Sequence, residues 1–213
     1  MIVGTMRQDL VMSAVGRPYG GKSAVERHEF RRRRLIEAAR ETIATHGVAA
    51  VTAEQVSQAA GLTKRYFYVS FASRETLLDT CAEMLFTELR AALDSALQAP
   101  TRHEQVHRAA SAVVRLLAAD PAWARLYMEC SAFPRLRARQ EQAIGEFTRR
   151  LNETAVVVYP PDPISVRQDL ATRIVVVGGT DLIIAWLSGD IDADEQTLVA
   201  TIAASVLGET TAR

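Results

Sequence analysis

Residues 52–78 read TAEQVSQAAGLTKRYFYVSFASRETLL. Thr52 stands where its hydroxyl can accept a backbone N–H, and Gln55, three residues on, completes a capping-box spacing, so a helix is expected to open here. Val56, Ala59 and Ala60 then fall at i, i+3 and i+4. They form a thin apolar stripe whose small members let a second helix cross closely. Gly61 permits a left-handed backbone, Leu62 offers an apolar plug inside the turn, and Thr63 is placed to cap a second short helix. Within that helix Phe67 and Phe71 are four apart and should turn inward together. Lys64, Arg65, Tyr68, and with them Tyr66 and Val69, are left on the outer side. Ser73 opens a further helix, with Arg74 and Glu75 in its first turn.

Two short helices meeting at a glycine turn, the second presenting cations and tyrosine hydroxyls, make a helix-turn-helix. That motif places a helix in the major groove of DNA. Cations and hydroxyls suit phosphates and base edges. The plainer reading is a helical hairpin whose aromatics are all core. An aromatic run this dense beside two adjacent cations is unusual for a helix that only fills a core.

From about residue 34 to residue 78 the chain resembles the TetR family of bacterial transcriptional regulators. The residues that carry the likeness are Thr52, Val56, Ala60, Gly61, Thr63, Tyr68, Ser70, Phe71, Arg74 and Leu77. Ser70 stands where the family usually has His, and Arg65 where it often has a small residue; both departures bear on DNA contacts rather than on the fold. The resemblance implies phosphate contacts from Thr52, Tyr68 and Arg74. It places Lys64, Arg65 and Tyr66 nearest the bases, and Thr63 at the head of the same helix belongs to that surface. It further implies an all-α fold, with an N-terminal three-helix DNA-binding domain and a larger C-terminal helical domain for ligand binding and dimerisation.

The 213 residues carry no formal net charge, which by itself does not point to DNA. The distribution does. Residues 1–80 hold 12 Arg and Lys against 8 Asp and Glu, and the remainder 13 against 17. A basic front and an acidic rear fit a DNA-reading unit joined to a unit with another task. With 48% hydrophobic residues the chain can bury a substantial core. Cys81 and Cys130 lie too far apart for a metal or redox motif and read as free, buried thiols. The stretch from Met1 to Met12 has no sustained apolar run, and the most apolar segment, Ile174 to Leu187, is interrupted by Gly178, Gly179, Thr180 and Asp181. Neither a secretory leader nor a membrane span is therefore expected, and the expected location is cytoplasmic.

Organisation follows from caps and breaks. Residues 1–25 lack an apolar period and read as a flexible arm, either an inert disordered tail or one whose Arg7, Arg17 and Lys22 lie against DNA. Residues 26–78 are the expected DNA-binding domain. A first helix beginning at Arg31 to Arg34 has Leu35, Ile36, Ala39 and Ile43 inward and stops at Gly47. Residues 79–213 are the expected effector-binding and dimerisation domain. Helices are predicted over 73–98, from the Thr101 cap to 119, from the Asp120-Pro121 start, over 134–158, over 165–187 and over 192–207, with a break at the prolines of 159–163.

Trp123, Tyr127, Cys130, Phe133 and Phe147, with Asp181 as a polar anchor, are candidates to line a cavity for an apolar or aromatic small molecule. Ordinary core is the alternative for each. The helices from Ile174 to Leu187 and from Leu198 to Val206, the latter with Leu198, Ile202, Ser205 and Val206 on one face, are candidates to pack on their copies in a homodimer. A two-fold dimer would supply two reading heads for a palindromic operator. The expected function is thus transcriptional regulation, in the simplest form repression released by a small ligand; a DNA-binding regulator without a ligand is the alternative.

His103, Glu104 and His107 match the H-E-x-x-H spacing of zinc hydrolases, with Glu129 downstream as a conceivable third ligand. Thr101 caps this helix, so His103 falls in an exposed first turn without a dry pocket. An enzyme, a metal and a cofactor are accordingly not expected.

Overall fold

The computed structural model describes residues 23–153 and 166–208. Among the described residues there are nine α-helices, two single turns of 3-10 helix and no strand. They are α1 (Ala24–His46), α2 (Ala53–Ala59), α3 (Lys64–Ser70), α4 (Arg74–Ala96), α5 (Arg102–Ala119), α6 (Pro121–Glu129), α7 (Pro134–Glu153), α8 (Val166–Leu187) and α9 (Glu195–Leu207). The all-α, TetR-like architecture expected from the sequence is the one observed.

Helix α1 begins a full two turns before the arginine run at which it was expected to start. The reason is a capping box at Ser23 and Glu26: the Ser23 hydroxyl accepts the Glu26 N–H at 3.1 Å, and the Glu26 carboxylate accepts the Ser23 N–H at 2.6 Å. The inner face is as read, Leu35, Ile36, Ala39 and Ile43, with Ala38 and Thr42 added. Arg7, Arg17, Lys22 and the prolines of 159–163 lie outside the described residues.

The chain leaves α1 through Gly47, makes a 3-10 turn over Val48–Ala50, and enters α2. Thr52 caps α2, its hydroxyl accepting the Gln55 N–H at 3.1 Å. At the other end Gly61 has φ +63, with Gly61 N–H bonded to Gln58 and Leu62 N–H bonded to Ser57. This paired arrangement satisfies the last carbonyls of α2 and turns Leu62 back onto the core. One member of the predicted stripe is displaced. Ala59 is exposed, while Val56 and Ala60 are buried together with Ser57. The inward face of α2 is set by Val56 and Ser57, with Ala60 at its cap, and Ala59 falls on the outer side.

Phe67 and Phe71 are buried, at 0% and 2% exposure, with their ring centroids 6.0 Å apart. Burying each contributes roughly 1.5–3 kcal/mol, enough to fix the roll of a helix as short as α3. The core continues without a gap through Leu77, Leu85, Trp123, Leu126 and Ile183, so front and rear share one apolar cluster. Cys81 and Cys130 lie inside it as free thiols, and burial pushes both up to about 12. Helix α4 runs unbroken across position 78, where a domain boundary was expected.

Helix α4 also lies alongside α7. Four ion pairs join them, Asp79 with Arg135, Glu83 with Arg139, Arg90 with Glu146, and Asp94 with Arg150, every one 56 residues apart in sequence. A constant offset means the two helices run parallel and in step.

Helix α8 departs from the sequence reading. The window Leu170–Leu187 is 18 residues long with a mean hydropathy of 1.7, so by length and composition it is sufficient to cross a membrane, contrary to the expectation of an interrupted segment that forms no span. The expectation stopped at Ile174; Leu170 and Ala171 lengthen the run, and glycines do not lower hydropathy enough to break it. Only 11% of the window is buried within the chain.

Gly47 has φ +85, and a Cβ added there would sit 2.8 Å from Oε1 of Glu129. Gly47→Ala is therefore expected to lower the unfolding free energy, in chemical denaturation, by about 1–3 kcal/mol of backbone strain plus the cost of moving Glu129. Gly189→Ala, at φ +79 in open space, should show the strain alone. Equal losses would refute the crowding.

Candidate nucleic-acid interface

Every candidate DNA-facing residue on α3 lies at the surface. Lys64, Arg65, Tyr66, Tyr68 and Val69 are exposed, Tyr68 and Val69 by more than half. Phe67 and Phe71 take the inner side, so the helix has the division its sequence required. Thr52 and Thr63 are exposed at the heads of α2 and α3. Thr63 departs from expectation in one respect: it occupies the cap position, but its side chain makes no capping bond. Lys64 reaches back to Glu54 on α2 at 3.0 Å. Both groups are well exposed, so that pair is worth little and can be exchanged for a phosphate.

Two features of this surface carry no local sequence signal. Arg31 of α1 stacks over the Tyr66 ring at 4.5 Å, and Arg32 over Phe71 at 5.1 Å. The four consecutive arginines therefore diverge, as a helical run must.

Arg74 is placed differently from what the family likeness implied. Its guanidinium turns inward, donating from Nε to the carbonyl of Val51 and from Nη2 to the carbonyl of Val48 at 2.8 Å. It also stands 5.6 Å from the Phe133 ring centroid. The N–H of the same Val48 donates to Glu129 Oε2 at 2.7 Å, and Arg125 steadies that carboxylate at 2.9 Å. Arg74 from α4 and Glu129 from α6 thus hold one peptide segment from opposite sides. Sequence reasoning had no means to find Glu129 here, because the bond spans 81 residues.

Behind this front lies a largely apolar cavity of about 140 Å³ between α4, α5, α6, α7, α8 and α9. On this measure a single water needs roughly 10–15 Å³, so the space suits a larger molecule. Tyr127 and Phe147 line it, as expected. Four other candidates do not. Trp123 is buried elsewhere, its indole N–H on Glu88 at 3.0 Å and its ring under Arg40. Cys130 is sealed in the core, Phe133 packs beside Arg74, and Asp181 is exposed. The walls are instead aliphatic, among them Leu89, Val113, Ile144, Val176 and Ile183. Polar groups are few. Tyr127 bonds to Thr180 at 3.3 Å, and burial raises its phenol above the usual value. The Arg90–Glu146 and Asp94–Arg150 pairs stand at the rim. A hydrogen bond from Gln142, and with it the charge of Arg90, hold Glu146 below the usual carboxylate range.

His103 and His107 stack with centroids 4.6 Å apart, and Glu104 faces Arg108. Glu129, committed to Val48 and Arg125, is not available to them. Among the described residues no three His, Cys, Asp or Glu side chains form a group that could hold a metal ion.

An exposed cationic helix on a buried aromatic hinge, set on a helical body, defines a helix-turn-helix regulator. Residues 35–81 match the family model described as bacterial regulatory proteins, tetR family. By that match residues 35–81 are a TetR-type helix-turn-helix segment, and the described chain as a whole shares the fold of TetR-family transcriptional regulators. The fold is similar to that of the fatty acid degradation regulator FadR from Bacillus halodurans, at 19% identity, with 91% of this chain and 100% of that one covered and a TM-score of 0.69. It is also similar to FadR from Bacillus subtilis solved in complex with stearoyl-CoA (18% identity, 84% and 98% covered, TM-score 0.65). A third is the TetR family regulator PfmR from Thermus thermophilus (22% identity, 84% and 100% covered, TM-score 0.58). No curated protein sequence matches the chain.

Arg74→Ala strips the Val48 and Val51 carbonyls of their donor. It is expected to lower the unfolding free energy by about 1–3 kcal/mol, seen as a fall in thermal midpoint without DNA. A purely phosphate-binding Arg74 would leave that midpoint unchanged.

Proposed function

We propose that this regulator reads a palindromic operator as a homodimer and is released from it, as a repressor, by an apolar ligand held in the cavity. The observation that carries the reading is the path of α4. It begins at Arg74, which holds the turn leading into the helix-turn-helix, and its far half supplies Phe86, Leu89, Arg90 and Leu93 to the cavity wall. A ligand there acts on the same rigid helix that positions the reading head. It can alter DNA affinity only by the difference in its own affinity for the two arrangements.

The DNA-contacting set in this reading is Thr52, Thr63, Lys64, Arg65, Tyr66 and Tyr68, with Arg74 reassigned to holding the turn. The working division is a DNA-binding unit over 26–78, extended by the first turn of α1, and an effector and dimer unit over 79–213. The ligand is an apolar or aromatic molecule; the stearoyl-CoA complex of the similar Bacillus subtilis protein supports a long acyl chain as one form of it. The aliphatic walls and the rim of ion pairs suit such a chain, with Tyr127 and Thr180 as the polar contacts.

Leu170, Ile174 and Val177 are 56%, 72% and 44% exposed and lie at i, i+4 and i+7 on α8. A second copy covering this stripe, together with the outer side of α9, forms the dimer. In this reading the protein works where its DNA is, in the cytoplasm.

Two measurements test the reading. Lys64→Ala with Arg65→Ala should weaken binding to a selected operator by roughly 1–3 kcal/mol for each base contact these side chains make; an intact footprint would remove α3 as the reading helix. Ile174→Asp should shift the sedimentation of the protein from dimer to monomer, and a wild type that sediments as a monomer would remove the dimer.

A further inference from the structure

We infer that one stripe of α1, formed by Arg27, Arg31 and Arg34, is a second DNA-contacting element that grips phosphates flanking the reading helix. It rests on the DNA-binding reading above and extends it to residues before the matched family segment, which begins at residue 35.

The three residues stand at i, i+4 and i+7 and so share one helix face. That face is aimed by contacts at its lower end. The guanidinium of Arg34 lies over the helix-turn-helix turn, where a Cβ added to Gly61 would meet Nη2 at 3.3 Å. Arg31 stacks at 4.5 Å over Tyr66, the exposed neighbour of Arg65 on α3. The stripe therefore starts on the turn and runs up beside the reading helix, with Arg27 one turn further out and exposed. A guanidinium already held on an aromatic face loses less freedom when it takes up a phosphate, and its fork geometry fits phosphate oxygens.

The neighbouring arginines are disposed otherwise. Arg32 leans over the buried Phe71. Arg33 has Glu29 at i−4 and Glu37 at i+4, so its ridge of α1 carries mixed charge. Four identical residues in a row thus divide by position into a ridge for phosphate, a packing contact and a ridge of mixed charge.

The test uses the full chain and a mixed-sequence DNA duplex, because phosphate contacts carry no sequence information. Affinity is followed by fluorescence anisotropy across a salt series. The logarithmic salt slope should fall by about 0.9 for each phosphate contact removed, hence by about 2–3 per DNA-bound subunit in the triple variant Arg27→Gln, Arg31→Gln, Arg34→Gln. Arg33→Gln removes the same charge one residue away and should leave the slope at its wild-type value. A triple variant with an unchanged slope overturns the inference. So does Arg33→Gln lowering the slope as much as Arg34→Gln; this pair of single variants decides the matter if the triple variant melts early. Failure of the wild type to bind the duplex at low salt would instead overturn the DNA-binding reading itself.

Discussion

The reading head is held in place through the backbone of one residue, Val48. Helices α2 and α3 have seven residues each, far below the length at which a helix stands alone in water. Their shape comes from packing, and Phe67 and Phe71 supply most of it. Packing fixes the roll of α3 but not the entry of the chain into α2. That entry is set at Val48, whose N–H goes to Glu129 and whose carbonyl goes to Arg74. Gly47 lets the Glu129 carboxylate come close enough. Two side chains of opposite charge thus grip the donor and the acceptor of the same residue, and each belongs to a helix that continues to the cavity. Tyr127, which lines the cavity, precedes Glu129 by two residues in α6.

The parallel α4 and α7 pair gives this connection stiffness. Single surface ion pairs stabilise little. Four with one offset oppose sliding, because a shift by one residue would misalign all of them together. The two pairs near the reading head, at Asp79 and Glu83, stand apart from the cavity, while Arg90, Asp94, Glu146 and Arg150 border it. A molecule entering the cavity would therefore disturb the far half of the ladder first and leave the near half to carry the displacement of α4 as a rigid rod.

What the sequence revealed and what it hid divide by the range of the interaction. Caps, the glycine turn and the inward aromatics are local, and Thr52, Gly61, Phe67 and Asp120 all sit where the spacing required. The early start of α1 is equally local, set by Ser23 and Glu26 ahead of the arginine run. Arg74 shows the limit. Its type and position match the family pattern, yet its guanidinium is satisfied by carbonyls 23 and 26 residues upstream, which no window on the sequence displays. The lining of the cavity is hidden for a related reason. Aromatic side chains were expected to line it, but Trp123 and Cys130 are core, and large rings fill space rather than leave it. The wall is built from Val, Ala, Leu and Ile of six helices, and none of those residues is distinguishable in sequence from any other aliphatic position.

Helix α8 illustrates how composition and surroundings can point in different directions. Its hydropathy would suit a lipid environment, but its inner side is tied down by polar contacts. Thr172 is buried and donates to Asn152 at 2.6 Å, and Thr180 is bonded to Tyr127. The indole N–H of Trp186 donates to the Ala193 carbonyl at 2.8 Å. A helix surrounded by lipid presents apolar groups on every side; this one has a fixed polar-stitched side and a separate outer stripe of Leu170, Ile174 and Val177. Arg173 and Asp181 are exposed near that stripe, and hydrocarbon would leave both charges without partners. A two-fold copy of the same helix offers apolar surface to the stripe and leaves Arg173 beside it and Asp181 at its end open to water, so the proposed dimer meets both demands where a bilayer would meet only one.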